Sequence, residues 1–249
     1  YLNTPDTPLF HKGAQLFAAG NPDDGATPVV VEGPMDAIAV TLATDGEAIG
    51  LAPLGTALTD EQAAQLYALG RAPVIATDAD QVGQVAAERD FWILSLYGID
   101  PLHARLPDDS DPAELVATGV PEKLAAAIEA ARPLSDTLLD DLLAGAPDVA
   151  GALDAVRGIA ALRPAEWADH VGRVAASGGL PAALVELALA ACVRAWNENP
   201  RRTAHQSGSQ LLRSTDQIPA AAVETRSIMS SRPDQRYAPR LTADVSSRR

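Results

Sequence analysis

The feature that most constrains this chain is an apolar stretch that ends in an acid, Val29–Val31 followed at once by Glu32. Three β-branched residues in a row indicate a buried β-strand, and the glycine after the carboxylate indicates a tight turn. The same pattern returns at Val74–Thr77, which runs into Asp78 and Asp80. Because an unpaired buried carboxylate is costly, these two strand ends are the first candidates for a functional site.

Strands alternate with helices across the first half of the chain. The predicted strands are Val29–Glu32, Ala48–Leu54, Val74–Thr77 and Leu102–Leu106, and the predicted intervening helices span 35–44, 59–69 and 82–97. This alternation predicts a four-stranded parallel sheet with helices on both faces, a Rossmann-like α/β fold with right-handed crossovers. In such sheets, ligands bind beyond the carboxyl ends of the strands, which is where the acids lie.

The sequence predicts four regions. Residues 1–27 are rich in turns, with a short helix expected over Gly13–Ala19, and we interpret them as a linker or edge segment. Residues 28–118 form the predicted α/β domain. Residues 119–198 carry apolar residues at helical spacing and predict an all-α region. Residues 199–249, which are poor in large apolar side chains, predict a disordered tail.

The charge of the chain is unevenly distributed around a net value of −14. Residues 1–199 hold 10 basic and 29 acidic residues, whereas residues 200–249 hold 9 arginines and 4 acids. The acidic body argues against broad non-specific binding of nucleic acid, and the arginine-bearing tail is typical of disorder.

The sequence also indicates where in the cell the protein is expected to be. It has no apolar stretch of membrane-spanning length and no secretory signal, so no membrane association is expected. The single cysteine, Cys192, excludes an intrachain disulfide framework. A cytoplasmic location is therefore expected.

The acids predict a site for a divalent cation. Carboxylates within a few ångströms repel one another, and Mg²⁺, which prefers oxygen ligands, relieves that repulsion. Asp78 and Asp80 can face one site if the backbone turns there, and Gly83 would let the backbone approach closely. Asp36 follows Glu32 by one helical turn and points to the same rim.

Simpler explanations exist for each acid alone, since Asp-x-Asp is common in solvated turns and the helix dipole favours Asp36. Three acidic strand ends in one sheet favour the metal site. Two metal ions could then support phosphoryl transfer, with Glu32 as general base or acid. The four histidines (His11, His103, His170 and His205) show no metal-ligand spacing, and no Walker-type loop occurs.

Taken together, these residues resemble the Toprim signature, with Glu32-Gly33-x-x-Asp36 followed by Asp78-x-Asp80-x-x-Gly83. That domain occurs in bacterial DnaG-type primases, in type IA and II topoisomerases, and in certain nucleases and recombination proteins. Four further blocks are similar to the primase branch in order and spacing: residues 1–12, 32–36, 54–59 and 106–112. The resemblance covers about residues 1–118 and implies that residues 1–27 lead out of a preceding primase core.

The resemblance implies a nucleotidyltransferase that makes RNA primers from ribonucleotides on a single-stranded DNA template. By position, Glu32 is implied as the acid–base carboxylate. The implied ligands and supports of Mg²⁺ or Mn²⁺ are Asp78, Asp80, Asp36 and Asp111. The implied contacts to nucleotide or template are Lys12, Gly33, Thr56 and Gly83.

The sequence departs from the family pattern at several points. The acid often found two residues after Asp111 is Ala113 here, and the basic residues usual after Lys12 are missing. The zinc-binding domain and the start of the polymerase core have no counterpart, as expected of a fragment.

Position alone suggests that the helical region binds a replicative helicase or another replication protein. Two other functions stay open: a Toprim nuclease or relaxase-associated DNA-processing module, and a non-catalytic interaction fragment.

Overall fold

A computed structural model describes Thr7 and residues 11–55, 57–78, 81–107, 110–145 and 149–206. The strands are β1 Leu16–Ala18, β2 Thr27–Val30, β3 Ala48–Pro53, β4 Val74–Ile75, β5 Leu102–His103 and β6 Arg132–Pro133. They form one sheet in the order β1-β3-β2-β4-β5-β6. The central strands β3, β2, β4 and β5 run parallel, whereas β1 and β6 pair antiparallel at the two edges.

The sheet differs from the predicted four-stranded parallel sheet at its two edges, where β1 and β6 are added. The four predicted strands are present and parallel, but the sheet is mixed and has six strands. Residues 13–19 were expected to be helical; instead a 3-10 turn over Lys12–Ala14 leads into β1, because Phe17 pairs with Ala52 of β3. The strands β4 and β5 contain only two residues each, so the chain leaves the ladder earlier than predicted.

The helices of the first half are α1 Pro34–Ala43, α2 Asp60–Ala68, α3 Gln81–Ser95, α4 Pro112–Ala117 and α5 Pro121–Glu129. The start of α2 confirms the predicted capping box. The Thr59 hydroxyl accepts a hydrogen bond from the Gln62 N–H at 3.2 Å, and the Gln62 side chain accepts one from the Thr59 N–H at 3.0 Å. Two donors at the helix start are thereby satisfied, so α2 begins at a defined residue.

Helices cover both faces of the sheet, as predicted. Alternate side chains of a strand point to opposite faces. Val29 and Val31 accordingly pack on the face covered by α1, α4 and α5. Val30 and Ile75 pack on the face covered by α2 and α3. The acids that follow β2 and β4 therefore extend from strands that are anchored on both sides.

The second half is helical: α6 Leu134–Gly145, α7 Val149–Asp154, α8 Val156–Ala160, α9 Trp167–Gly178 and α10 Ala182–Glu198. These helices share a core with the sheet through Leu134 and Leu162. The rings of Trp92 and Trp196 lie 6.1 Å apart, so α10 contacts α3 directly. In a separate apolar cluster, the helices α7, α8, α9 and α10 pack together around Val156 and Val174.

The predicted domain boundaries at 27, 118 and 198 stay predictions. The chain is helical over 200–206, beyond the position where a disordered tail was expected to begin, and the rest of that predicted tail lies outside the described residues. Among the described residues, none of the helices combines the length and the apolar character that a bilayer crossing requires.

Candidate active site at the strand ends

The chain emerges from the core at Glu32. Val29, Val30 and Val31 are at most 1% exposed, whereas the glutamate that follows them is exposed. Gly33 then provides the N-terminal cap position of α1, in an extended conformation. A buried strand and a helix start therefore hold this carboxylate at the surface from both sides.

Asp36 lies in the first turn of α1 and binds two backbone donors. Its Oδ2 accepts a hydrogen bond from the Gly33 N–H at 3.1 Å, and its Oδ1 accepts one from the Ala113 N–H at 3.2 Å. The carboxylate therefore connects the start of α1 to the start of α4. This is a structural role that the sequence did not predict, because the partner lies 77 residues away.

Asp111 is the N-cap of α4, where its side chain accepts a hydrogen bond from the Glu114 N–H at 2.6 Å. Burial raises the pKa of Asp36 above its ordinary value, and the nearby Asp111 charge raises it further. Asp36 and Asp111 therefore lie close enough to repel each other. That repulsion is the condition that a bound cation relieves.

Asp78 follows β4 in a turn whose shape depends on a glycine. The Thr77 hydroxyl donates a hydrogen bond to the carbonyl of Gly83 at 3.0 Å. A Cβ atom at position 83 would lie 2.1 Å from the carbonyl oxygen of Asp78. Gly83 thus permits a close approach of the protein backbone to itself, and its predicted contact to nucleotide or template stays a prediction.

The pairing of the strands places the predicted acids at one edge of the sheet. β2 and β4 are parallel neighbours, with Val30 opposite Ile75. Glu32 comes two residues after Val30, and Asp78 comes three residues after Ile75. The two acids thus leave adjacent strands at the same end.

Several predicted residues lie wholly or partly outside the described chain. Asp80 and Thr56 are not described, and neither is the side chain of Lys12, so their roles stay predictions. The backbone around Lys12 is described, and it lies beside α2: the Thr59 hydroxyl donates to the Gly13 carbonyl, and the Gln62 side chain donates to the Gln15 carbonyl at 2.6 Å.

Two buried acids of α3 were not among the predicted site residues. Asp90 and Glu88 are each 6% exposed. Burial raises the pKa of Asp90 to about 7; Arg89 and a hydrogen bond from the Leu58 N–H oppose this rise, and the Glu32 charge adds to it. Burial also raises the pKa of Glu88 to about 7, although Glu88 accepts a hydrogen bond from the Trp92 indole. The available signal was Glu88-Arg89-Asp90 inside an otherwise apolar helix.

The comparison with protein families agrees with this geometry. Residues 29–116 match the family model described as Toprim-like. This part of the chain is therefore similar to Toprim-like domains. The matched segment begins with β2 and ends within α4, so it contains the described acids Glu32, Asp36, Asp78 and Asp111.

Bacterial DNA primases are among the proteins to which this chain is similar. The DNA primase of Clostridium acetobutylicum is 40% identical over 140 residues, a match that covers 55% of this chain and 23% of that primase. The chain thus spans about a quarter of the length of this curated relative. The predicted resemblance to primases is confirmed for the matched part.

Solved structures of DNA primase domains are also similar to this chain. A DNA primase domain from Pseudomonas aeruginosa matches with a TM-score of 0.62 and 25% identity, over 76% of this chain and 63% of that domain. A DnaG primase catalytic domain bound to single-stranded DNA matches with a TM-score of 0.61 and 27% identity, over 72% of this chain and 61% of that domain. The likeness therefore extends beyond the Toprim-like domain into the later helices.

Proposed function

We propose that this chain supplies the catalytic acids of a DnaG-like primase, which joins ribonucleotides into RNA primers on single-stranded DNA. The observation that carries the proposal is the parallel pairing of β2 with β4, which brings Glu32 and Asp78 to the same edge of the sheet. The related catalytic domain bound to single-stranded DNA supports the choice of template.

The side chains at this edge fit a hard divalent cation. They are carboxylates, which are the ligands that Mg²⁺ and Mn²⁺ prefer. The pKa of Asp36 is raised first by burial and further by the charge of Asp111, and a cation bound nearby would relieve the repulsion between these two carboxylates. In this proposal Asp78 and Asp80 hold Mg²⁺ or Mn²⁺, and Asp36 and Asp111 support them. The bound ion would stabilise negative charge on the phosphates during transfer.

Glu32 has the position of an acid–base group. It is exposed, so a primer hydroxyl can reach it, and the buried strand before it fixes its backbone. As a carboxylate it would accept the proton of the attacking hydroxyl. Gly33, the N-terminal cap position of α1, is the proposed backbone contact to the nucleotide, next to the carboxylate of Asp36.

Primer synthesis by the whole chain tests the proposal. The 249-residue protein is incubated with single-stranded template, ribonucleotides and Mg²⁺ or Mn²⁺, and oligoribonucleotides are resolved on a gel. We expect template-dependent products that Glu32→Gln abolishes and that Glu122→Gln, an exposed glutamate on α5, leaves unchanged. DNA nicking without synthesis would favour a Toprim nuclease or relaxase-associated module instead.

Metal binding is measured as well, so that the proposal can be tested even if primer synthesis requires segments of the relatives that lie outside the match. Calorimetry with Mn²⁺ reports on the acids without a template. Binding that is lost in Asp78→Asn supports the metal site. The absence of both synthesis and metal binding would leave only the non-catalytic interaction fragment.

The partner of the later helices is a further part of the proposal. We expect a replicative helicase or another replication protein to bind there, which agrees with a cytoplasmic role in DNA replication. Two leucines of α10 are available for such a contact, since Leu184 is 41% exposed and Leu187 is 67% exposed. A Leu187→Asp variant that still binds a purified helicase as the parent does would contradict this part.

A further inference from the structure

A group of side chains of the types that bind metal ions lies in the later helices. Among the described residues, one set of three offers ligand atoms within 4.8 Å of one another: Asp136 on α6, with Asp169 and His170 on α9. The side chain of His170 is 9% exposed and that of Asp136 is 23% exposed, whereas Asp169 is exposed. The group therefore joins two helices at a largely buried contact.

The orientation of the His170 ring leaves one nitrogen unsatisfied. Its Nδ1 lies 2.8 Å from the carbonyl oxygen of Glu166. A carbonyl can only accept, so Nδ1 carries a hydrogen and Nε2 is the ring nitrogen that faces Asp136. Within the described part of the chain, this buried Nε2 makes no hydrogen bond. Asp136 Oδ1 lies only 3.2 Å away, but off the direction in which a hydrogen on Nε2 would point.

A tetrahedral cation explains this geometry better than a hydrogen bond does. With bonds near 2.0–2.1 Å, two ligand atoms of a tetrahedral zinc site lie roughly 3.3 Å apart, and neither points at the other. The observed separation of 3.2 Å between Nε2 and Asp136 Oδ1 agrees with that value. The Nδ1–H bond to a backbone carbonyl is also the contact that commonly orients a zinc-binding histidine.

The arginines around the group are compatible with a cation. Arg173 contacts both Asp136 and Asp140, and Arg132 lies 3.9 Å from Asp136. A carboxylate offers about four lone-pair sites, so Asp136 can bind a cation and keep Arg173 as an orienting partner. With Asp169 included, three aspartates face two arginines. The cluster is therefore not positively charged before a cation binds.

We propose that Asp136, Asp169 and His170 form a zinc site that fastens α6 to α9, with water as a further ligand. A mixed imidazole and carboxylate set suits Zn²⁺ better than Mg²⁺, which takes oxygen ligands. The site is separate from the strand-end acids, so it does not depend on the proposed primase activity.

Zinc titration of the whole chain tests the proposal. The chelator-treated protein is titrated calorimetrically with Zn²⁺ in excess Mg²⁺, which occupies the carboxylates at the strand ends. We expect one zinc ion per chain and a higher melting temperature in its presence. His170→Ala should abolish this binding. Asp169→Asn, which alters an exposed side chain and should not disturb folding, should weaken it by roughly tenfold or more.

A spectroscopic control separates this site from other histidines. Co²⁺ in place of Zn²⁺ should give the visible absorption of a tetrahedral ion in the parent protein. His205→Ala, which alters an exposed histidine outside the group, should give the same spectrum. Failure to bind zinc at micromolar concentration, or equal binding by His170→Ala or Asp169→Asn, would overturn the proposal.

Discussion

Asp36 of α1 accepts a hydrogen bond from the backbone N–H of Ala113 at the start of α4, with 3.2 Å between Oδ1 and N. The resemblance to primases implies a further acid at position 113, and this chain has alanine there instead. The donor is the backbone N–H of Ala113, a group that every residue except proline has. The connection between α1 and α4 is therefore independent of the side chain at position 113.

Replacing Asp36 should separate these two helix starts. We expect Asp36→Ala to lower the free energy of unfolding by about 1–3 kcal/mol, because the N–H groups of Gly33 and Ala113 lose their acceptor. Asp36→Asn keeps one acceptor oxygen and should lose less. Urea denaturation measures both values, with Glu122→Ala, at an exposed position of α5, as the control. A loss in Asp36→Ala no larger than in the control would contradict the connecting role.

The sheet could be predicted where the sequence pattern is strong and not where it is weak. Val29–Val31 and Val74–Ile75 are β-branched, and their assignment as buried strands was correct. The edge strand β1 covers only Leu16–Ala18 and exists because β3 offers a free edge to pair with. The other edge strand consists of Arg132 and Pro133 alone. A two-residue strand that contains proline has no strand signature, so only its neighbour β5 defines it.

The site, like the sheet, could be predicted only where its residues follow a local sequence pattern. Acids at strand ends are visible in the sequence, and the segment that matches the family model spans Glu32, Asp36, Asp78 and Asp111. The partners of those acids are not visible, since the Asp36–Ala113 bond depends on how α4 packs against α1. The pairing of Asp136 with His170 is equally hidden, because it requires α9 to fold back onto α6. Long-range packing decides these contacts, whereas local patterns decide the strands.

The buried acids of α3 predict a pH dependence of stability. The pKa of Asp90 and that of Glu88 are each raised to about 7 by burial, from ordinary values of 3.8 and 4.5. Between about pH 4 and pH 7 the folded chain keeps protons that the unfolded chain has released, so stability falls as pH rises through this window. Each group lowers it by at most about 1.4 kcal/mol per pH unit. Above about pH 7 both carboxyl groups are ionised in the folded and in the unfolded chain, so they no longer make stability depend on pH.

Asp90→Asn tests this dependence. Asparagine cannot ionise and keeps an oxygen for the Leu58 N–H, so the loss of stability between about pH 4 and pH 7 should shrink. Urea denaturation at a series of pH values measures the slope. Glu122→Gln, which removes an exposed carboxylate, should leave the slope unchanged. A slope in Asp90→Asn that equals the parent slope would mean that Asp90 is ionised in the folded chain throughout this range.

Two glycine substitutions should have opposite effects. At Gly83 a Cβ would lie 2.1 Å from the Asp78 carbonyl oxygen, and backbone atoms cannot yield to it cheaply. Gly83→Ala should therefore destabilise the chain by about 2 kcal/mol or more and displace Asp78, which weakens Mn²⁺ binding as well. Gly158 lies inside α8, where a Cβ would meet nothing within 4 Å, so Gly158→Ala should stabilise by about 0.5–1 kcal/mol. Thermal unfolding and calorimetry measure both effects, and equal behaviour of the two variants would contradict the close approach at Gly83.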